Sequence, residues 1–352
     1  MAKNALTPEA QAALAKLNQA IEQNPLNKEL YYQRSELYYA AADYSLGIKD
    51  LNTVLEQSPQ DALAYMFRGY GYGQLSYYNQ AIADYTAAIK LAPNYAKAYF
   101  NRGTTHSQLQ QYQQAISDYS LAIKLKPNYA DAYYNRAIAL NKIKQYQRAI
   151  ADYTQVIALQ PKDETAYYNR ANTFNLTKQY PQALADYNQA IALKPDDLEP
   201  YYNRANVYHK TQDYQKAIAD YSHVIKHNPL HAPTHYNRGT THLSAELYQQ
   251  AIADFSNAIK LKPNYAEAYY NRAIAYNKIQ QYQQAIADHQ MAIKLKADYG
   301  EAYGNLGLVQ LTVGDKDQAV VNLQQAAKLF KAQNNLALLR YIEEKLQKIE
   351  PD

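Results

Sequence analysis

The sequence predicts an all-α fold, a right-handed solenoid of antiparallel helix pairs that follow one another along the chain. The first observation is a 34-residue period, which is clearest in arginine, because eight of its ten copies recur at that spacing. These are Arg34, Arg68, Arg102, Arg136, Arg170, Arg204, Arg238 and Arg272. Prolines from Pro59 to Pro263 and alanines from Ala81 to Ala319 keep the same period. A chain that repeats at this length is an array of one supersecondary unit.

Within one unit the apolar pattern is helical. In residues 130–163, the second half carries apolar or small side chains three and four positions apart, as an amphipathic helix does. These are Tyr146, Ala149, Ile150, Tyr153, Val156 and Ile157. Pro161 ends that helix, and polar residues near Lys144 and Gln145 mark a turn before it. Each unit is therefore predicted to be two antiparallel helices, A and B, joined by a short turn.

Counting from Lys28, the period divides the chain into nine units. They are residues 28–61, 62–95, 96–129, 130–163, 164–197, 198–231, 232–265, 266–299 and 300–333. Residues 1–27 are predicted to form an N-terminal partial repeat with a single helix, and residues 334–352 a C-terminal capping helix. The third unit shares more than half of its residues with the seventh, and the fourth shares more than half with the eighth. A block of four units has therefore been duplicated.

Composition excludes several classes of protein. The chain has 352 residues, 47% hydrophobic and 19% charged, and contains no cysteine. These values exclude a disordered chain, disulfides, thiolate catalysis and cysteine-ligated zinc. A net charge of +4 is too weak over this length to predict binding to a phosphate backbone. Neither a long apolar run nor a signal-peptide core is present, so we expect a cytoplasmic protein without a membrane span.

Catalytic motifs are missing from the sequence as well. It contains no Gly-x-Ser-x-Gly elbow, no His-Glu-x-x-His and no phosphate-binding loop. We therefore expect no enzymatic activity and no cofactor. Histidine recurs at every fourth residue from His223 to His235, which is a spacing that could suggest a metal site. Because prolines interrupt the helix between these histidines, we expect an exposed, titrating cluster and no metal.

The repeat resembles the tetratricopeptide repeat (TPR) family, whose 34-residue units place an aromatic residue early in helix A, small residues midway and a proline near the end. In residues 96–129 the matching positions are Tyr99, Gly103, Tyr112, Ala115, Tyr119, Ala122 and Pro127. The resemblance covers nearly the whole chain. It implies a right-handed superhelix whose A helices line a concave groove, and a non-catalytic scaffold for protein-protein interaction.

Position 7 of the unit departs from this family, because it holds arginine where an apolar residue is usual. Every unit with that arginine also has aspartate at position 23, and the ninth unit loses both together, as Leu306 and Asn322. The paired loss predicts structural ion pairs within each repeat, with an electropositive stripe for anionic ligands as the alternative. They include Arg102 with Asp118, Arg136 with Asp152, Arg170 with Asp186, Arg204 with Asp220, Arg238 with Asp254 and Arg272 with Asp288.

The resemblance places positions 5 and 6 of helix A in the groove. Position 6 is asparagine in seven successive units, and position 5 is mostly tyrosine. The candidate peptide-binding residues are Asn101, Asn135, Asn169, Asn203, Asn237, Asn271, Asn305, Tyr134, Tyr168, Tyr202, Tyr236 and Tyr270. An asparagine amide donates and accepts hydrogen bonds, so it can hold a peptide backbone. The alternative is that each asparagine bonds to the neighbouring repeat, and the sequence leaves both interpretations open.

Partner classes can be narrowed from the same positions. The carboxylate clamp that some TPR proteins use for Hsp70 and Hsp90 chaperones needs cations at positions 2, 5 and 6, and only Lys97 meets this at position 2. We therefore expect a protein or peptide partner of another kind. Nucleic-acid binding is disfavoured, because most arginines face a predicted aspartate. Self-association through the chain ends or the C-terminal tail remains an alternative function.

Overall fold

The computed structural model describes residues 7–349, which form twenty α-helices and no β-strand. It divides into two compact bodies, and the division falls between Lys178 and Gln179. The N-terminal body contains α1 (Pro8–Gln23), α2 (Lys28–Ala40), α3 (Tyr44–Gln57), α4 (Ala62–Gln74), α5 (Tyr78–Leu91), α6 (Ala96–Gln108), α7 (Tyr112–Leu125), α8 (Ala130–Lys142), α9 (Tyr146–Leu159) and α10 (Glu164–Leu176). The C-terminal body contains α11 (Tyr180–Leu193), α12 (Leu198–Lys210), α13 (Tyr214–His227), α14 (Ala232–Ser244), α15 (Tyr248–Leu261), α16 (Ala266–Lys278), α17 (Tyr282–Leu295), α18 (Gly300–Thr312), α19 (Lys316–Ala332) and α20 (Leu336–Ile349). The predicted all-α solenoid of helix pairs is confirmed.

Local signals fix the ends of these helices. Several A helices begin at an aspartate cap: the Asp61 carboxylate accepts hydrogen bonds from the backbone N–H groups of Leu63 and Ala64, which satisfies donors that a helix leaves open. B helices end shortly before the periodic proline, as α9 does ahead of Pro161. Proline has no N–H to continue the helical ladder and thus separates one repeat from the next.

The turn between helices A and B uses a left-handed residue at the same position of every repeat. Lys144 has φ 61° and Gln110 has φ 59°, and only the ninth repeat places a glycine there, Gly314 at φ 87°. A non-glycine residue in this region costs about 1–2 kcal/mol. The cost recurs through the array because this turn sends the chain back antiparallel within a few residues.

In most repeats, helices A and B pack a small residue at position 8 against an aromatic ring at position 24, whereas the first and ninth repeats have Leu51 and Leu323 there. A Cβ placed on Gly103 would lie 3.0 Å from the Tyr119 ring, and one on Gly239 would lie 2.9 Å from Phe255. The rings at position 24 are almost completely buried. Because positions 7 and 23 are the sequence neighbours of this contact, the packing brings the arginine and aspartate series face to face.

The final helix covers the apolar end of the C-terminal body. In α20, Ile342 is only 2% exposed and packs with Phe330 and Leu323 of α19. α19 is longer than the other B helices of this body, and Phe330 lies in that extension. Within residues 7–349, no helix has both the length and the apolar composition needed to cross a membrane.

Candidate functional site

Seven arginines of the series meet the aspartate of their own repeat through two nitrogens. Arg136 donates from Nε and Nη2 to the two carboxylate oxygens of Asp152, each over 2.7 Å. The same two-pronged geometry joins Arg34 with Asp50, Arg68 with Asp84, Arg102 with Asp118, Arg204 with Asp220, Arg238 with Asp254 and Arg272 with Asp288. Arg170 and Asp186 belong to different bodies, and their pairing stays a prediction.

A third arginine nitrogen reaches the preceding repeat, which sequence reasoning missed. Arg136 Nη1 donates to Ser120 Oγ over 2.9 Å, and the Tyr133 ring lies 5.5 Å from the guanidinium carbon. The acceptor lies in helix B, at position 25 of the 34-residue unit, and is a short polar residue in each case. These acceptors are Asn18, Asn52, Thr86, Ser120, Thr154, Asn188, Ser222 and Ser256. Before Leu306, where the arginine is lost, this position holds Gln290. The arginine and its short polar acceptor are therefore lost together, and this joint change is visible in the sequence.

The candidate asparagines and tyrosines bond to one another between successive repeats. In four cases the asparagine amide nitrogen donates to the tyrosine hydroxyl 35 residues earlier, over 2.9–3.0 Å. The pairs are Asn169 with Tyr134, Asn237 with Tyr202, Asn271 with Tyr236, and Asn305 with Tyr270. Burial raises the pKa of Tyr134, Tyr202, Tyr236 and Tyr270, so these phenols stay protonated at neutral pH.

Two asparagines of the series lack such a phenol partner. The residue 35 positions before Asn101 is Met66, whose sulfur lies 3.7 Å from the amide nitrogen and is a weak acceptor. The residue at the same offset before Asn135 is Phe100, which has no hydroxyl group, and within residues 7–349 no hydrogen bond of the Asn135 side chain is found. Asn203 and Tyr168 lie in different bodies, and their role stays a prediction.

A pocket of about 400 Å³ lies beside these two asparagines and is called the Gly73 pocket below. Its walls come from α4, α5, α6 and α8 and the turn after α4. They are Tyr70, Gly73, Gln74, Ser76, Tyr78, Tyr85, Phe100, Asn101, Thr104, Thr105, Gln108 and Asn135. None of these described lining residues is charged, and the polar ones are mainly amides and hydroxyls. The pocket therefore offers rings and neutral hydrogen-bonding groups.

The histidine series was predicted to be an exposed cluster, and this is wrong for His235. The residue is 6% exposed, and its Nε2 lies 3.0 Å from the Pro229 carbonyl oxygen. The rings of His223 and His227 lie tilted to each other on helix α13, with centroids 4.4 Å apart. His235 occupies position 4, where the other repeats hold a tyrosine that is half-buried or, in the case of Tyr31, buried. No group of three or more metal-ligating side chains occurs within the described residues 7–349.

Family models and solved structures match the chain as follows. A model described as TPR repeat matches residues 69–110, 171–212 and 247–280, and tetratricopeptide repeat models match residues 9–62, 96–129, 130–163, 199–230 and 300–333. The C-terminal part of a TPR repeat-containing protein from Cytophaga hutchinsonii is 18% identical, with a TM-score of 0.58, over 65% of this chain and 95% of that one. A tetratricopeptide repeat protein from Parabacteroides merdae is 20% identical, with a TM-score of 0.50, over 71% of this chain and 99% of that one. These structures show the fold alone, and a search of curated proteins gave no match.

Proposed function

Because the chain belongs to the tetratricopeptide repeat family, we propose that it is a non-catalytic protein-interaction scaffold that binds an extended peptide segment along positions 5 and 6 of its A helices. One observation supports this most strongly. Asn101 and Asn135, one repeat apart, keep their amides without a phenol partner, and both border the Gly73 pocket. If the asparagine series served only to join repeats, we would not expect Asn101 and Asn135 to lack a phenol partner beside an open pocket.

The chemistry of these groups suits an extended backbone. An asparagine side chain can donate to a peptide carbonyl and accept from a peptide N–H. Packed helices lie roughly 8–10 Å apart, and an extended chain rises about 3.3 Å per residue. Successive asparagines can therefore meet about every third residue of a bound peptide.

The asparagines that do bond to tyrosine are compatible with the same role. In Asn169 the amide nitrogen donates to the Tyr134 hydroxyl and to the Thr165 carbonyl, and the side-chain oxygen remains an acceptor for a ligand. The bond also fixes the orientation of the amide, and a group held in its binding conformation loses less entropy when it binds. The bonded asparagines would act as pre-oriented acceptors, and Asn101 and Asn135 as full donor and acceptor groups.

The test begins with selection of a random dodecamer peptide library, displayed on phage, against the immobilised full-length protein. The tightest peptide is then titrated calorimetrically into three proteins: wild type, Asn101→Ala/Asn135→Ala, and the control Gln113→Ala/Gln147→Ala. The control glutamines are exposed on helices α7 and α9 of the same two repeats. We expect the asparagine variant to lose at least about tenfold in affinity and the control to match wild type.

Melting temperatures accompany these titrations, because loss of fold would imitate loss of binding. Neither asparagine side chain has a strong partner within the described residues, so the variant should melt close to wild type. A folded asparagine variant with unchanged affinity would contradict the proposed site. Failure to select any peptide on the wild-type protein would contradict peptide binding itself.

A further inference from the structure

The duplicated four-repeat block provides an internal comparison for the Gly73 pocket. Each residue of the pocket has an equivalent four repeats later, in the C-terminal body. Six of the twelve lining residues differ from their equivalents, and three of these changes bear on the middle of the pocket: Gly73 becomes His209, Tyr70 becomes Asn206, and Phe100 becomes Tyr236. The two copies of the block thus carry different side chains at one and the same place in the repeat.

In the second copy the hydrogen-bonding groups satisfy one another. His209 Nδ1 lies 3.0 Å from Thr241 Oγ1, so the imidazole spans the equivalent position. The Tyr221 hydroxyl donates to Asn206 Oδ1 over 2.6 Å, and Asn237 donates to the same oxygen over 3.1 Å. Asn271 completes the set by donating to the Tyr236 hydroxyl over 3.0 Å.

In the first copy the equivalent groups are left unsatisfied. Tyr85, the counterpart of Tyr221, is 2% exposed, and no partner for its hydroxyl is found within residues 7–349. Asn101 has only the Met66 sulfur, and Asn135 faces a phenylalanine in place of a phenol. Gly73 leaves the middle open: a Cβ built there would have the Tyr85 hydroxyl, at 3.9 Å, as its nearest neighbour.

The lining defines what would fill this space. Tyr70, Tyr85 and Phe100 supply ring surfaces, and aromatic pairs add about 0.5–1.5 kcal/mol beyond the area that they bury. The amides and the Tyr85 hydroxyl can bind a neutral polar tip. A carboxylate or an ammonium group would find no counter-charge among the described lining residues, and burying an unpaired charge is costly.

We propose that the Gly73 pocket is a specificity pocket that takes one uncharged aromatic side chain, with tyrosine preferred, from the bound peptide segment. This inference rests on the proposed groove function and adds the chemistry of one ligand residue to it. We place the pocket in the N-terminal body, because His209 occupies the equivalent place in the C-terminal body. The two copies of the block therefore differ in ligand preference.

The pocket is tested directly with N-acetyl-tyrosinamide and N-acetyl-aspartamide as probes, by saturation-transfer NMR on the full-length protein. Three proteins are compared: wild type, Gly73→His, which copies the second block, and Gly73→Ala, which adds only a methyl group. Both substitutions replace a glycine inside helix α4 where the space is open, so both should fold, and the alanine variant should melt at or above the wild-type temperature.

We expect the tyrosine probe to bind wild type and Gly73→Ala, to lose at least about tenfold in affinity for Gly73→His, and to outcompete the aspartate probe. Equal binding of the tyrosine probe to wild type and Gly73→His would overturn the inference, as would equal binding of the two probes. These outcomes do not depend on any selected peptide.

The phage library separates this inference from the groove function. We expect peptides selected on wild type to share an aromatic residue at one position, and the same selection on Gly73→His to lose that residue while still yielding binders. Peptides without a fixed aromatic residue would overturn the pocket and leave the groove intact. The absence of any binder on either protein would overturn the groove function.

Discussion

At the scale of single residues, this chain uses charge to join repeats. The guanidinium of Arg136 meets Asp152 of its own repeat, Ser120 of the preceding repeat and the ring of Tyr133. The pairing of arginine with aspartate could be predicted, because both vanish together in the ninth repeat. The serine shows a paired change of the same kind, since Gln290 stands before Leu306, but its contact with the arginine of the next repeat does not follow from the spacing within one unit. That contact becomes evident only when helix B of one repeat packs against helix A of the next, as α7 does against α8.

Removing one member of an ion pair should cost more than removing both. In Asp152→Asn, the half-buried Arg136 loses its counter-charge, and we expect a loss of about 2–3 kcal/mol in the free energy of unfolding. The double variant Arg136→Leu/Asp152→Asn copies Leu306 and Asn322 of the ninth repeat, and it should recover at least half of that loss. Urea unfolding of the four proteins of this cycle measures both values. A double variant that is no more stable than Asp152→Asn would contradict this account.

The two kinds of asparagine should differ in what they contribute to stability. Asn169→Ala removes the hydrogen bond to Tyr134 and should lower the free energy of unfolding by about 1 kcal/mol. Asn135→Ala removes no described bond and should change it by less than about 0.5 kcal/mol. Urea unfolding checks both, with Tyr134→Phe as the matched control for the bond. Equal losses for the two asparagines would show that Asn135 also has a structural partner.

At the scale of a single helix, α17 places a titratable ring at position 24. Other repeats bury Tyr119, Tyr153 or Phe255 there, whereas α17 buries His289 at 1% exposure, with no hydrogen-bond partner for its Nδ1 within the described residues. The 34-residue period predicts that position 24 is buried, and His289 is buried there like the rings of the neighbouring repeats. What the sequence does not reveal is that the imidazole must stay neutral to remain there.

This burial makes stability depend on pH. Desolvation lowers the pKa of His289 to about 4, while the unfolded chain takes up the proton near its ordinary pKa of about 6.5. Protonation thus favours unfolding, and the stability that the neutral imidazole provides is present above about pH 6.5 and lost as pH falls toward 4. The full loss is about 3 kcal/mol.

The variant His289→Phe copies Phe255 of the preceding repeat and has no group to titrate. We expect the difference in unfolding free energy between variant and wild type to grow steadily as the pH is lowered from 7 to 4.5. Urea unfolding at several pH values measures it. A difference that is independent of pH would show that the histidine is not held neutral.

At the scale of the whole molecule, repetition of one 34-residue unit accounts for most of the structure. The 34-residue period predicted the helix pairs because each turn, cap and proline acts locally. Which members of a recurring series remain available to a ligand could not be predicted in that way. The difference between Asn135 and Asn169 depends on the residue type one repeat earlier, Phe100 or Tyr134, and on the packing that brings the two positions together.

The end of the array should depend on its last helix. A chain that stops after Ala332 lacks α20 and uncovers Phe330 and Leu323, which α20 covers in the full protein. We expect a lower melting temperature and self-association of the shortened chain, because exposed apolar surface drives contact between molecules. Light scattering of both proteins checks this, and the full-length protein should have the mass of one chain. A full-length oligomer that the truncation dissolves would instead support assembly through the tail.

The central claim, that asparagine side chains hold the backbone of an extended peptide, is tested most directly by changing the peptide and leaving the protein as it is. The tightest selected peptide is remade as a series in which one backbone nitrogen at a time is methylated, and each member is titrated calorimetrically into the wild-type protein. We predict an affinity loss of at least about tenfold at two positions roughly three residues apart, which is the spacing of Asn101 and Asn135 along an extended chain. A series that loses no affinity at any position would contradict backbone recognition by these asparagines.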